Sequence, residues 1–241
     1  PVTVRINKNT PKRLLNKIAK VIRQGGGIIA VYNEDLILKS LEYQGYEQKE
    51  SRTFANDGCW EIQIPGKTYF NYIPFDALQI LLNNTLKLNT DAPQHFNSYM
   101  DLENAFLIEL NKYISEIFNN SIKETINQTP FTYKENIPCT ALSLFIDGGI
   151  ENACSYLEGG FKYRVISPHI GGAPDAGNSL FAINKLVFLD NVVSFDKLMQ
   201  ILKNNWEGEE ELRHYAFNKY IYYGNDNDES DMYTVKILNS F

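Results

Sequence analysis

The chain has 241 residues, 44% hydrophobic, 13% aromatic and 22% charged, a balance that excludes disordered, collagen-like and low-complexity proteins. Its 23 basic and 29 acidic residues leave a net charge of −6 with no basic stripe, so no nucleic-acid partner is expected. No run approaches the roughly 20 apolar residues of a membrane span, and no signal peptide opens the chain, so no membrane partner is expected either.

In chain order, Thr10 before Pro11 predicts a helix start, with Leu14, Leu15, Ile18, Val21 and Ile22 on one apolar face. Gly25-Gly26-Gly27 stops it. Residues 28–31 are short, apolar and β-branched, as in a buried strand. Asn33 caps a second helix, with Glu34 and Asp35 at the positive end of its dipole. Residues 75–82 read as a helix, and residues 98–127 as a long one carrying Leu102, Phe106, Leu110, Tyr113, Ile117 and Phe118 at helical spacing. Residues 141–146 are a second candidate buried strand. Further helices are predicted at 179–188, 194–204 and 210–219. The stretch 127–138, polar and proline-bearing, reads as a loop, so one domain without internal repeats is expected over 1–241. Pro1 at the start and the apolar helical pattern of 232–241 suggest a segment of a longer protein.

Few residues offer chemistry. Cys59, Cys139 and Cys154 have neither disulfide nor metal-ligand spacing, which points to a reducing cytoplasm. His95, His169 and His214 are scattered and read as structural or surface histidines. The three glycines precede a strand, the reverse of a phosphate loop. Asp226, Asp228, Glu229 and Asp231 lack the glycine and terminal glutamate of a calcium loop and read as a solvated helix start. In Asn56-Asp57-Gly58-Cys59-Trp60-Glu61, an extended backbone would point Cys59 and Glu61 to one side. Taken alone, Cys59 reads as a small buried hydrophobe.

The surroundings change that reading. Asn33-Glu34, Ser51-Arg52, Gly58-Cys59-Trp60-Glu61 and Pro65-Gly66-Lys67-Thr68 together resemble the thiyl-bearing region of the glycyl radical enzymes, the pyruvate formate-lyase-like family. Gly159-Gly160-Phe161-Lys162-Tyr163 is similar to that family's G-G-A-x-Y. The run 178–188 is similar to its D-S-L-A-A-I-K-K-L-V-F helix. Trp206-Glu207-Gly208, Leu212, Arg213, Gly224-Asn225-Asp226, Asp228 and Asp231 follow its last block. Four blocks in one order, from about Thr10 to the end, make a specific match.

The resemblance implies an α/β fold, part of a ten-stranded α/β barrel, with Cys59 on an interior loop. Ile28, Ile29, Val31, Leu144, Phe145, Leu186 and Val187 are the expected core. It implies Cys59 and Glu61 as catalytic residues: Cys59 gives a thiyl radical, favoured by a buried apolar setting that keeps the sulfur protonated, and Glu61 is the general base. No cofactor or metal is expected on this segment. The R-V-x-G-Y motif of the radical glycine is absent, since Tyr163-Arg164-Val165 runs into Ile166-Ser167-Pro168. The glycyl radical is therefore expected elsewhere, installed by a radical S-adenosylmethionine activating enzyme, and the segment alone is expected to be inert. The partners it implies are a small-molecule substrate, the activating enzyme and, as a homodimer, a second copy of the parent. Trp60 stands where formate acetyltransferases carry a second cysteine, which disfavours that activity and favours the diol dehydratase, amine-lyase or decarboxylase branches. Trp60 also replaces the usual valine, and Gly149 in Asp147-Gly148-Gly149-Ile150-Glu151 replaces a common cysteine. A non-catalytic binding or assembly module is the second function class.

Overall fold

The computed structural model describes residues 2–27, 29–127, 139–153, 155–156 and 161–241, so Ile28, Cys154, Gly159-Gly160 and nearly all of the 127–138 stretch lie outside the described residues. Two compact units emerge. One comprises the described residues up to Asn71 and those from Cys139 to Ile166; the other comprises 72–127 and Ser167–Phe241.

In the first unit, β1 (Val2–Ile6) runs parallel to β2 (Ile29–Asn33), with Val2 opposite Ile29 and Ile6 opposite Asn33. The connection between them is α1 (Lys12–Ile22). Its entry residue is Pro11, in extended backbone; the Thr10 hydroxyl accepts from the Asn7 N–H at 2.9 Å and caps a preceding turn instead of the helix. Gly25, Gly26 and Gly27 all have positive φ, which ends the helix as expected. Of the predicted apolar face only Ile18 is buried. Along β2, Ala30 and Tyr32 are buried while Ile29 and Val31 are half-buried. The expected core pair is thus displaced by its neighbours, because a strand turns alternate residues to one face. α2 (Glu34–Tyr43) follows, with Asn33 Oδ1 accepting the Leu36 N–H at 3.2 Å, the predicted cap. After α3 (Gln48–Ser51) comes an antiparallel hairpin of β3 (Ala55–Asn56) and β4 (Ile62–Gln63). Ala30, Tyr32, Leu41, Phe54 and Ile64 form this unit's core.

Residues 141–146 are not a strand. Thr140–Ser143 form a short helix, α6, and turns follow it. The Ser143 N–H and hydroxyl both bond back to the Cys139 carbonyl, at 3.1 and 2.9 Å, so the backbone closes on itself instead of reaching a neighbouring strand. Leu144 and Phe145, expected in the core, are 61% and 77% exposed. Gly149 packs into the same turn. A Cβ there would lie 2.6 Å from the Ser143 carbonyl oxygen, so the turn as it stands has room for glycine and for no side chain.

β5 (Thr68–Asp76) and β6 (Tyr163–Gly171) pair in a third two-stranded sheet, and the chain passes between the units within these strands. Among the described residues no sheet closes on itself. In the second unit, Asp76 Oδ1 accepts the Leu78 and Gln79 N–H groups and caps α4 (Ala77–Gln79), so the helix predicted from residue 75 begins two residues later. It continues as a π-helical turn, Ile80–Thr85, closed by the Leu86 N–H on the Leu81 carbonyl at 2.9 Å. α5 (Tyr99–Asn127) is the predicted long helix; Leu102, Phe106 and Leu110 are fully buried, while Tyr113 and Phe118 are exposed. α7 (Ala173–Ile183) begins six residues before its predicted start and also ends in a π turn, Asn184–Leu189, where Leu186 and Val187 are buried as expected.

α8 (Phe195–Lys203), α9 (Glu210–Lys219) and α10 (Asp228–Ser240) complete the unit. Asn227 caps α10 through the Glu229 and Ser230 N–H groups, so the acidic string is a helix start. The core gathers residues of α4, α5, α7, α8 and α10 around Leu81, Leu102, Phe106, Leu180 and Leu198. An apolar cavity of about 370 Å³ is lined by residues of α4, α7, α8 and α9 and the π turns, with Arg213 and Asp175 among them. No described helix is long and apolar enough to cross a membrane.

Candidate active site

The β3–β4 hairpin closes over residues 57–61, and the Asp57 N–H donates to the Glu61 carbonyl at 3.0 Å to seal it. Within the loop, Asp57 Oδ1 accepts the Cys59 N–H at 2.7 Å and Glu61 Oε2 accepts the Trp60 N–H at 3.1 Å. These bonds turn three side chains to one place. One ligand-type atom each of Asp57, Cys59 and Glu61 lies within 4.8 Å of the others. The expected convergence of Cys59 and Glu61 is present, and Asp57 joins them. Sequence spacing held the signal for Asp57, since it continues the i, i+2 series, but a turn centred on Gly58 gave no reason to extend the series backward.

The setting differs from the one expected. Cys59 is exposed, neither a buried hydrophobe nor enclosed in an apolar pocket by the described residues; Asp57 and Glu61 are half-buried, and Trp60 is 53% exposed. Beneath the loop lies Tyr32 of β2. Its ring meets Trp60 at 6.3 Å and Phe54 edge-on at 6.1 Å, and its hydroxyl donates to the Trp60 carbonyl at 2.8 Å. Burial, then the negative charges of Glu61 and Asp57, hold the Tyr32 phenol above its ordinary pKa. A thiol beside two carboxylates is donor chemistry for proton and hydrogen-atom transfer and also of the type that ligates metals.

The other motif residues shape this scaffold. Glu34 takes a bond from the Asn7 amide at 2.6 Å and another from the Arg5 guanidinium, and these, Asn7 foremost, hold its carboxyl below the ordinary range. Arg5 also stacks on Phe54 at 4.2 Å and donates to the Arg52 carbonyl at 2.6 Å. Lys67 bridges Asp147 at 2.7 Å and Glu50 at 3.2 Å. Among the histidines, His95 pairs with Asp196 at 2.6 Å, chiefly through a hydrogen bond that raises its pKa. His169 pairs with Ser167 at 2.8 Å, and His214 is exposed; none joins the Cys59 loop.

A cysteine and a glutamate held together on a short hairpin loop, behind an asparagine-capped helix, are the residues whose sequence motifs resemble the glycyl radical enzymes. The chain belongs to that family: it matches the pyruvate formate lyase-like profile over residues 1–241. It is 30% identical over 252 residues to the trans-4-hydroxy-L-proline dehydratase of Clostridioides difficile, across 99% of this chain and 31% of that protein. The structure of hydroxyproline dehydratase from the same organism, with trans-4-hydroxy-L-proline bound, superposes with a TM-score of 0.74 at 29% identity, over 99% of this chain and 31% of that one. The glycerol-bound B12-independent glycerol dehydratase of Clostridium butyricum gives 0.73 at 25% identity, with 99% and 31% coverage. The chain therefore spans 31% of the length of these relatives, and its α/β fold is a part of their barrel.

Proposed function

We propose that this chain is the thiyl-bearing segment of a glycyl radical dehydratase or related lyase acting on a small polar substrate. The observation that carries the reading is the convergence of Cys59, Glu61 and Asp57 on one loop in a chain of this family. Cys59 gives its sulfur-bound hydrogen atom to a backbone radical supplied from outside these residues. The sulfur radical then takes a hydrogen atom from a substrate carbon. Glu61 removes the proton from the substrate hydroxyl and passes it to the neighbouring leaving group as that group departs, which returns Glu61 to its carboxylate, and the product radical recovers a hydrogen atom from the Cys59 thiol. The sulfur radical left behind takes back the hydrogen atom lent to the backbone radical position, which restores both the Cys59 thiol and the glycyl radical. Trp60 stands where acyl transfer would need a second cysteine, which supports dehydration or elimination over formate acetyltransferase activity.

The test is turnover and melting temperature measured together in the full-length, activated protein, with small diols and hydroxyamino acids as substrates. Cys59→Ser abolishes turnover and leaves the glycyl radical signal intact, because a hydroxyl is a poor hydrogen-atom relay. Glu61→Gln lowers the rate by about 10²–10⁴-fold while keeping shape. Full activity in the serine variant ends the thiyl reading.

A further inference from the structure

The five residues between β3 and β4 have no ladder of their own, so their shape depends on what holds their backbone. The bonds among Asp57, Cys59, Trp60 and Glu61 are internal to the loop and cannot fix it relative to the sheet. Three carbonyls reach outside. The Asn56 side-chain amide donates to both the Asp57 and Cys59 carbonyls, each at 2.9 Å. The Tyr32 hydroxyl donates to the Trp60 carbonyl at 2.8 Å. Both donors are themselves anchored. Asn56 Oδ1 accepts from the Thr3 hydroxyl on β1, and the Asn56 N–H donates to Thr3 Oγ1 at 3.2 Å. Tyr32 is 8% exposed and sits on β2 against Phe54.

We propose that Asn56 and Tyr32 are the positioning residues of this site, clamping the loop backbone so that Cys59 Sγ stays beside the Glu61 and Asp57 carboxylates. The chemistry of the clamp is specific. The Asn56 amide carries two N–H donors on one nitrogen, enough to serve both carbonyls at once, and at the last position of β3 it is short enough to reach them. Serine in place of Asn56 would serve one carbonyl at most, and aspartate would set a carboxylate against two carbonyl oxygens. A loop containing Gly58 has many conformations once released. A misplacement of about 1 Å at a reacting group costs of order 10²-fold in rate. The parallel β1–β2 sheet thus sets the aim of the cysteine although neither strand carries a reacting group.

The activity part of this inference rests on Cys59 and Glu61 being the reacting pair; the clamp itself does not. Both are tested in the full-length protein with Asn56→Asp and Tyr32→Phe. The phenylalanine variant keeps the ring packing and removes only the hydroxyl. Hydrogen exchange of the 57–61 amides is expected to rise about tenfold or more in either variant, as one or two hydrogen bonds are lost, while the β1–β2 amides keep wild-type protection. In the activated enzyme kcat falls about 10–10²-fold with KM within about twofold and the glycyl radical signal unchanged. Wild-type exchange of the loop in both variants overturns the clamp. Faster loop exchange with unchanged kcat overturns its positioning role. A wild-type enzyme whose turnover does not depend on Cys59 sinks the function proposed above but leaves the exchange result to judge the clamp.

Discussion

Glu50 shows how much local order a single carboxylate can organise. It takes a bond from the Tyr163 hydroxyl, the leading cause of its depressed pKa, then from Lys162 Nζ at 2.9 Å, and it lies 3.2 Å from Lys67 Nζ; its carboxyl is held down to about 2 from an ordinary 4.5. Lys162 also pairs with Glu47 at 2.7 Å, and Tyr163 stacks on Tyr46 with centroids 4.2 Å apart. A depressed folded-state pKa gives stability that is present above the ordinary value and lost as pH falls toward the folded one. Glu50→Gln is therefore expected to lower the melting temperature at pH 7, and the gap to wild type should close between about pH 5 and 2. A gap that persists unchanged at pH 2 would show that charge is not what Glu50 contributes. At this scale the nearness of Cys59 and Glu61 was legible from their i, i+2 spacing, while their standing as candidate site residues came from the family resemblance of the surrounding motifs. Asn56 and Tyr32 were not, since their bonds go to backbone atoms and leave no pattern in residue types.

Among the elements, α7 and α10 cross most tightly at Gly177. A Cβ there would lie 2.9 Å from the Thr234 backbone nitrogen and 3.0 Å from its Cα, so relief would require backbone movement. Thr234 is fully buried. Gly177→Ala would ordinarily gain helix propensity, by about 1 kcal/mol. Here overpacking opposes it, and a net destabilisation of roughly 1–3 kcal/mol is expected from thermal or urea unfolding. A stabilised variant would show that the helices can separate without cost. Gly149→Ala meets the Ser143 carbonyl in the same way and is expected to loosen the turns after α6, read as faster exchange of the Asp147 amide, which now donates to the Gly66 carbonyl at 2.7 Å. The long helix α5 was plain from its periodicity. Residues 141–146 misled because a short apolar run fits a strand or a helix equally well, and Ser143 decided the matter by bonding back to Cys139.

Across the whole molecule the two units differ in how much apolar surface they enclose. The second gathers its helices around one extended cluster, whereas the first rests on Ala30, Tyr32, Leu41, Phe54 and Ile64. Amide protection follows such burial. The slowest-exchanging amides are therefore expected in α5, α7 and α10, with the Cys59 hairpin exchanging faster. The reverse order would mean that the small sheet, not the helical cluster, is the stable core.

Much of this protein was determined by the sequence alone: the family, from four ordered motif blocks; the Cys-x-Glu pair; the cap at Asn33; and the helices whose apolar residues repeat at the helical period. These features depend on neighbours within a few residues, where covalent spacing sets geometry. The tertiary structure decided the rest. It paired β1 with β2, turned Ala30 and Tyr32 inward in place of Ile29 and Val31, and set Tyr32 and Asn56 beneath the loop. Each of those outcomes turns on a hydrogen bond or a packing contact to another part of the chain, and such partners become neighbours only when folding brings distant strands together.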